Sequence, residues 1–222
     1  MNDYASDEEQ IEAIRKWWSE NGKFIIAGIA LGIAGLVGFR VYSNNLAETR
    51  AEASGVYSQL VDASESGDAA QTVRLHEKLL SEYATTPYAA QSYLAAAKAE
   101  MDRGDTEAAI AALQAMLDSD APEAMRAIAR LRLAKALNYL ERGSDARALL
   151  SGFDGGNFQP RFDEALGDIE AALGNREEAR SAYQAAISGA LGTRMIDAEL
   201  VQLKIAALGL SSQAMAAEES TE

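Results

Sequence analysis

Residues 165–187 read ALGDIEAALGNREEARSAYQAAI, and this stretch predicts two short helices joined at Gly174. Gly167 lies in the first of these helices, and Ala179 and Tyr183 lie in the second. The small residues at Gly167 and Ala179 allow two antiparallel helices to touch, and Tyr183 fills the next gap along the interface. The stretch therefore predicts a helical hairpin.

Two other segments share this pattern. They are residues 96–117, AAKAEMDRGDTEAAIAALQAML, and residues 132–150, RLAKALNYLERGSDARALL. Each places a glycine in the predicted joint between its helices, and the glycines Gly104, Gly143 and Gly174 are spaced by 39 and 31 residues. This spacing is near the period of about 34 residues that is typical of tetratricopeptide repeats. Hairpins of this kind bury their apolar faces by stacking on their neighbours, so we expect one contiguous domain.

The repeat is degenerate. In the second segment Gly152 occupies the position where an aromatic residue is expected, and the second helix is cut short before GFDGGN. An earlier hairpin around Gly67 is weaker still. An irregular helical bundle is the alternative interpretation.

The rest of the sequence after residue 42 is also helical in character. It lacks alternating β-branched runs and hairpin turn signals, and all three prolines lie at predicted breaks between helices, where a missing N–H costs least. We therefore predict an all-α fold in which residues 43–209 form a tetratricopeptide-like α-solenoid of degenerate helical hairpins. Residues 210–222 are predicted to be a flexible tail.

A single apolar segment precedes this domain. Residues 24–39, FIIAGIALGIAGLVGF, carry no charge, and with the flanking residues 23–42 they reach about the 30 Å thickness of a bilayer core. Trp17, Trp18 and Tyr42 lie at the two ends, as interfacial aromatic residues do. We predict a transmembrane anchor over residues 23–42. A buried core helix and a cleaved signal peptide are the alternatives, and the long acidic start of the chain argues against cleavage.

The orientation follows from basic residues close to the anchor. Arg15, Lys16 and Lys23 precede it, whereas Arg40 and Arg50 follow it. This small excess predicts that residues 1–22 are cytoplasmic and that the C-terminal domain lies outside the cytoplasm, which in a bacterium is the periplasm of the inner membrane.

Glycines line one face of the predicted anchor. Gly28, Gly32 and Gly35 share that face, and Gly28 and Gly32 form a GxxxG pair. Small residues allow close approach of a second membrane helix, either of another protein or of a second copy in a homodimer. General tolerance of glycine in membrane helices is the alternative explanation.

Composition excludes several classes of function. The net charge of -14 argues against binding to nucleic acid, because a phosphate backbone requires clustered Lys and Arg. The chain has no cysteine and only one histidine, His76, so thiolate or histidine metal sites are not expected. No catalytic or phosphate-binding motif is present, and we predict a protein that is not an enzyme and binds no cofactor.

Several motifs occur in the order found in a known family. The acidic start is followed by EAIRKWWSENGK at 12–23, GFRVY at 38–42, AIARLRLAKAL at 127–137 and LGDIEAALGNREEARSAYQAAI at 166–187. The chain resembles the YfgM-like family, the tetratricopeptide-like ancillary subunits of the SecYEG translocon. The resemblance implies an inner-membrane anchor, a periplasmic domain, and association with the translocon and with the membrane-anchored periplasmic chaperone PpiD.

Tetratricopeptide-like stacks bind partners along a concave surface lined by the first helix of each unit. The register of the three segments places seven residues on the equivalent surface here. They are Gln91, Lys98, Asp102, Arg130, Arg161, Glu164 and Asp168.

These observations lead to a hypothesis about function. We expect a non-catalytic, membrane-anchored scaffold, an ancillary SecYEG subunit that links the translocon to periplasmic chaperones. The alternative is an envelope-assembly or signalling adaptor that acts through homodimerisation. Confinement by the anchor raises the effective concentration of a partner, so that weak contacts in a groove suffice.

Overall fold

The computed structural model describes the backbone of residues 7–219 and the side chains of residues 9–209. Within this part every regular element is helical, which confirms the all-α prediction. A short 3-10 helix, Gly156–Phe158, precedes α7. The α-helices are α1 (Asp7–Glu65), α2 (Ala69–Glu82), α3 (Pro87–Asp102), α4 (Thr106–Leu117), α5 (Glu123–Tyr139), α6 (Gly143–Leu150), α7 (Gln159–Ala172), α8 (Arg176–Gly189) and α9 (Ala198–Glu219).

Helix α1 contains the predicted anchor. It is the one helix of the described residues that is long and apolar enough to cross a membrane, and its apolar window is not buried within the protein. Large apolar side chains such as Phe24, Leu31 and Phe39 are exposed there. The chain divides into two compact units at the junction between Glu52 and Ala53, within this helix.

The second unit is a series of helical hairpins. The last turns of α1 pack with α2 through Val56, Leu60 and Leu79, and the pairs α3–α4, α5–α6 and α7–α8 follow in chain order. The largest apolar cluster is built from α3 to α7 and includes Leu113, Met116 and many alanines. Alanine at these positions allows neighbouring helices to approach closely, as the small-residue pattern predicted.

The hairpin turns have a common construction. Gly67, Gly104 and Gly174 each adopt a positive φ of 76–81°, a conformation that costs glycine little. In each case the next residue donates its backbone N–H to a carbonyl five residues earlier, at 2.9 Å. Asp68 and Asp105 then accept hydrogen bonds from the first turn of the following helix, at 2.9 and 3.0 Å. These local bonds end one helix and begin the next within three or four residues.

The turn of the second repeat is not where the glycine spacing placed it. Glu141, with a φ of 60°, occupies the left-handed position, and Arg142 donates its N–H to the Leu137 carbonyl at 2.9 Å. The prediction that Gly143 forms this turn is wrong, because Gly143 is the first residue of α6. Gly143 packs closely against Leu173, and a Cβ there would lie 2.8 Å from Leu173 Cδ2, so that this leucine side chain would have to shift.

The third hairpin confirms the predicted packing around Tyr183. A Cβ on Gly167 would collide with the Tyr183 ring, which is 3% exposed. Ala179 is fully buried beside it. Helix α9 then covers this end of the unit, with Val201 and Leu208 in the same apolar cluster as Ala179 and Tyr183.

The predicted flexible tail, residues 210–222, lies partly outside the described residues. The backbone is helical through Glu219, and residues 220–222 and the side chains after Gly209 are not described. The mobility of this segment stays a prediction.

Candidate binding groove

A groove runs between the last turns of α1 and the helices α3 and α5. It consists of two adjoining cavities of about 270 and 390 Å³ that share the side chains of Lys98 and Arg132. We call it the α3–α5 groove. Its lining residues are Tyr57, Val61, Ser64, Glu65, Gln91, Leu94, Ala95, Ala97, Lys98, Met101, Leu113, Arg132, Lys135, Ala136 and Tyr139.

The larger cavity has an apolar floor framed by cations. Met101 and Tyr139 are 39% and 73% exposed there, which leaves contiguous apolar surface open to solvent. Lys98 lies on α3, and Arg132 and Lys135 lie one turn apart on α5. A pocket that combines apolar surface with a few placed charges is typical of a binding site.

The charge of this groove is opposite to that of the whole chain. Lys98, Arg132 and Lys135 face a single lining carboxylate, Glu65, in a chain with a net charge of -14. Among the described residues no carboxylate makes an ion pair with Arg132 or Lys135. The groove is therefore a cationic region on an acidic protein.

The pKa values of two groups at the groove, Lys98 and Tyr57, are shifted by their surroundings. Lys98 Nζ donates to Asp102 Oδ2 at 2.6 Å, and this hydrogen bond raises the pKa of Lys98. Partial burial raises the pKa of Tyr57, and the nearby Arg132 guanidinium opposes that rise. Both groups keep their neutral-pH charge state, so Lys98 remains cationic and Tyr57 remains neutral.

Three of the predicted surface residues lie at this groove. Gln91 and Lys98 line it, and Asp102 is held beside it by its ion pair with Lys98. The structure thus brings these three residues of the first repeat together, and their role in binding a partner stays a prediction.

Arg130 does not line the groove. Its Nη1 donates to the Leu149 carbonyl at 3.2 Å, and its guanidinium lies 4.4 Å from the centre of the Phe153 ring. Its position away from the groove follows from the position of the turn in the second repeat. Arg130 stands 13 residues before Gly143, as Gln91 stands before Gly104, whereas the true turn residue is Glu141.

The correct turn residue identifies groove positions that the sequence analysis missed. Lys98 lies six residues before Gly104, and the residue six before Glu141 is Lys135. In the same way, Ala95 lies nine residues before Gly104 and Arg132 lies nine residues before Glu141, so these two residues occupy equivalent positions. The two-residue shift turns α5 by about 200° because each residue rotates a helix by about 100°.

The predicted residues of the third repeat are separate from the groove. Lys204 Nζ of α9 donates to Glu164 Oε1 at 2.9 Å and to Asp168 Oδ1 at 2.7 Å. The Tyr183 hydroxyl also donates to Asp168 Oδ1, at 2.8 Å. Burial and this hydrogen bond raise the pKa of Tyr183. Glu164 and Asp168 thus hold α9, while Arg161 is exposed on α7.

The predicted membrane contact face is open. A Cβ added at Gly28, Gly32 or Gly35 would meet no atom within 4 Å. The face therefore has space for a second helix, and its occupant stays a prediction.

No metal-binding constellation occurs in the part of the chain that the structure describes. Within residues 9–209 no three His, Asp or Glu side chains converge as ligands of a metal ion. His76 instead lies 2.7 Å from Ser92 Oγ through its Nδ1. Ser92 donates its hydroxyl proton to the Ala89 carbonyl, so His76 must donate from Nδ1. Burial lowers the pKa of His76, which keeps the ring neutral.

Comparison with known proteins agrees with this architecture. A family model described as a tetratricopeptide repeat-like domain matches residues 15–210. A protein of Haemophilus influenzae named ancillary SecYEG translocon subunit is 31% identical over 82% of this chain and 90% of its own length. The chain belongs to the YfgM-like family. Relatives with the same printed name are 28% identical in Escherichia coli, over 92% of this chain and 98% of their own length, and 26% identical in Neisseria gonorrhoeae, over 94% and 100%.

The match to the YfgM-like family extends across both units. The aligned range of the tetratricopeptide-like model begins at residue 15, ahead of the apolar stretch of α1, and ends in α9. Anchor and hairpins are therefore both part of what this chain shares with the family.

Proposed function

We propose that this protein is a non-catalytic interaction scaffold of the bacterial inner membrane and an ancillary subunit of the SecYEG translocon. The observation that carries the proposal is the match to relatives of that name over 82% and 92% of this chain, with an apolar helix and a hairpin domain in the same chain. The open α3–α5 groove supports a role in binding other proteins. Residues 23–42 anchor the protein, and residues 43–209 form the working domain.

The domain faces the periplasm and links the translocon to a membrane-anchored chaperone of the PpiD type. The basic residues before the anchor support this orientation, since Lys and Arg are retained in the cytoplasm. Residues 1–22 are then cytoplasmic, with residues 1–6 outside the described part of the chain. An alkaline phosphatase fusion after Glu222 is expected to be active, and an inactive fusion would refute the orientation.

Photocrosslinking in intact membranes tests the partners. A photoreactive phenylalanine at Tyr139 in the groove is expected to capture translocon or chaperone subunits. The same group at Ala111, an exposed residue of α4 outside the groove, is the matched control and is expected to capture far less. Capture of only unrelated proteins from both positions would overturn the proposal.

Homodimerisation through the anchor is the second candidate. The open face at Gly28, Gly32 and Gly35 favours it, because two such helices can approach closely. Gly32→Leu blocks that approach. An adaptor that acts as a dimer loses both self-crosslinking and activity in this variant, whereas a translocon subunit that does not depend on self-association keeps its translocon crosslinks.

A further inference from the structure

Two of the three cations of the α3–α5 groove, Arg132 and Lys135, make no ion pair within the described part of the protein. The third, Lys98, pairs with the exposed Asp102. The acidic residues of α7, by contrast, do have a partner of opposite charge, since Lys204 makes ion pairs with both Glu164 and Asp168. The chain thus pairs this acidic cluster with its own lysine, whereas Arg132 and Lys135 of the groove have no ion-pair partner among the described residues.

The apolar floor between these cations is also uncovered. Met101 and Tyr139 are exposed beside the buried Ala97 and Leu113. The larger cavity of about 390 Å³ is near the lower end of the range of about 300–1,000 Å³ for binding pockets. A volume of this size accepts a few apolar side chains.

The groove continues past this cavity. Lys98 and Arg132 also line the second cavity, which extends along α3 to the end of α1 at Tyr57 and Glu65. Because the α3–α5 groove follows its helices over several turns, its shape suits an elongated segment of a polypeptide chain.

We propose that the α3–α5 groove binds an acidic amphipathic helix of a partner protein, with its apolar side chains on the floor between Met101 and Tyr139 and its carboxylates on Lys98, Arg132 and Lys135. The inference rests on the proposed function and names the kind of segment that the scaffold recognises. Charge complementarity supplies selectivity and faster association, and the apolar floor supplies affinity.

A direct binding measurement tests this inference. The full-length protein is placed in phosphatidylcholine nanodiscs and titrated against a fluorescein-labelled helical peptide of about 18 residues with a leucine face flanked by glutamates. A second peptide has lysine in place of every glutamate. We expect the glutamate peptide to bind at least about tenfold more tightly, with a preference that shrinks as salt rises.

Charge reversal in the groove provides the matched comparison. Arg132→Glu combined with Lys135→Glu is expected to abolish the preference for the glutamate peptide. Arg74→Glu combined with Lys78→Glu makes the same charge change on exposed positions of α2 outside the groove and is expected to leave it intact. Circular dichroism of both variants checks that the helices remain folded.

Other occupants would overturn the inference. Equal binding of the two peptides, or an unaffected groove variant, refutes it. Binding of phosphatidylglycerol vesicles through Arg132 and Lys135, without binding of the glutamate peptide, also refutes it. Crosslinks from Tyr139 only to a second copy or to residues 210–222 refute it as well. Persistent crosslinks from a photoreactive group at Ile29 in the anchor to the translocon would then show that the proposed function survives without this groove ligand.

Discussion

The contact between Gly167 and Tyr183 allows a sharp test of the repeat packing. Gly167→Ala would place a Cβ against the Tyr183 ring, including its Cγ at 2.9 Å. The ring cannot swing aside freely, because it is buried and its hydroxyl is bonded to Asp168 at 2.8 Å. Overpacking of this kind costs about 1–3 kcal/mol, and weakening the hydrogen bond adds about 1 kcal/mol. The better helix propensity of alanine offsets about 1 kcal/mol, which leaves a net loss of about 2 kcal/mol.

Gly55→Ala is the matched control for this change. Gly55 lies in the last part of α1, and a Cβ there would meet no atom within 4 Å. Only the helix propensity then changes, so we expect a gain of about 0.5–1 kcal/mol. The same substitution is therefore expected to act with opposite sign at the two positions.

Urea and thermal unfolding of the full-length protein in mild detergent measures both effects. The near-ultraviolet circular dichroism of the tyrosines reports on the hairpin domain, and a loss of about 2 kcal/mol lowers its Tm by about 4–8 °C. A Gly167→Ala variant as stable as the parent would refute the packing argument. If Gly55→Ala is destabilised as much as Gly167→Ala, the loss comes from replacing a helical glycine by alanine at any position, and the contact with Tyr183 is not its cause.

Three further predictions use the same unfolding measurements. Lys204→Met removes the cation from the partly exposed Glu164 and Asp168 and is expected to cost about 1–2 kcal/mol, with the lower end reflecting solvent screening. Asp105→Ala removes the cap of α4 and is expected to cost about 1 kcal/mol. His76, whose burial lowers its pKa below 6.5, binds a proton more readily in the unfolded chain. The free energy of unfolding is therefore expected to fall as the pH drops from 6.5 towards the pKa of the folded state.

Each of these predictions has its own control. Lys78→Met breaks only the exposed, 3.9 Å pair with Glu82 and is expected to change stability by less than about 0.5 kcal/mol. Asp120→Ala removes an exposed carboxylate at no helix cap. His76→Gln is expected to flatten the pH dependence below 6.5. A loss as large in Lys78→Met as in Lys204→Met, or an unchanged pH slope in His76→Gln, contradicts the corresponding reasoning.

The sequence predicted the repeat where a left-handed glycine marked the turn. Gly104 and Gly174 placed their hairpins correctly, and Gln91 and Lys98 of the first hairpin line the groove, where their role in binding stays a prediction. The second repeat failed because Glu141, a residue that rarely adopts a positive φ, holds the equivalent position. Local backbone bonds hold this turn, from Glu141 N–H to the Asn138 carbonyl and from Arg142 N–H to the Leu137 carbonyl, and no glycine in the sequence marks it.

The groove itself was only partly predictable. A correct turn would have identified Lys135 by spacing, but whether Arg132 and Lys135 form ion pairs depends on which carboxylates approach from other helices. The contacts of Glu164 and Asp168 illustrate this point, since Lys204 lies 40 and 36 residues away in sequence. Such long-range pairs follow from stacking and have no signature in a single segment.

Helix α9 has a consequence for how copies of this protein meet. The last hairpin would otherwise present Ala179 and Tyr183 as an apolar end surface, and Val201 and Leu208 cover it. An uncovered end would let one molecule stack on the next, as unfinished repeat arrays do. Helix α9 thus plays the part of a capping repeat, because it removes this apolar surface from contact with a second copy.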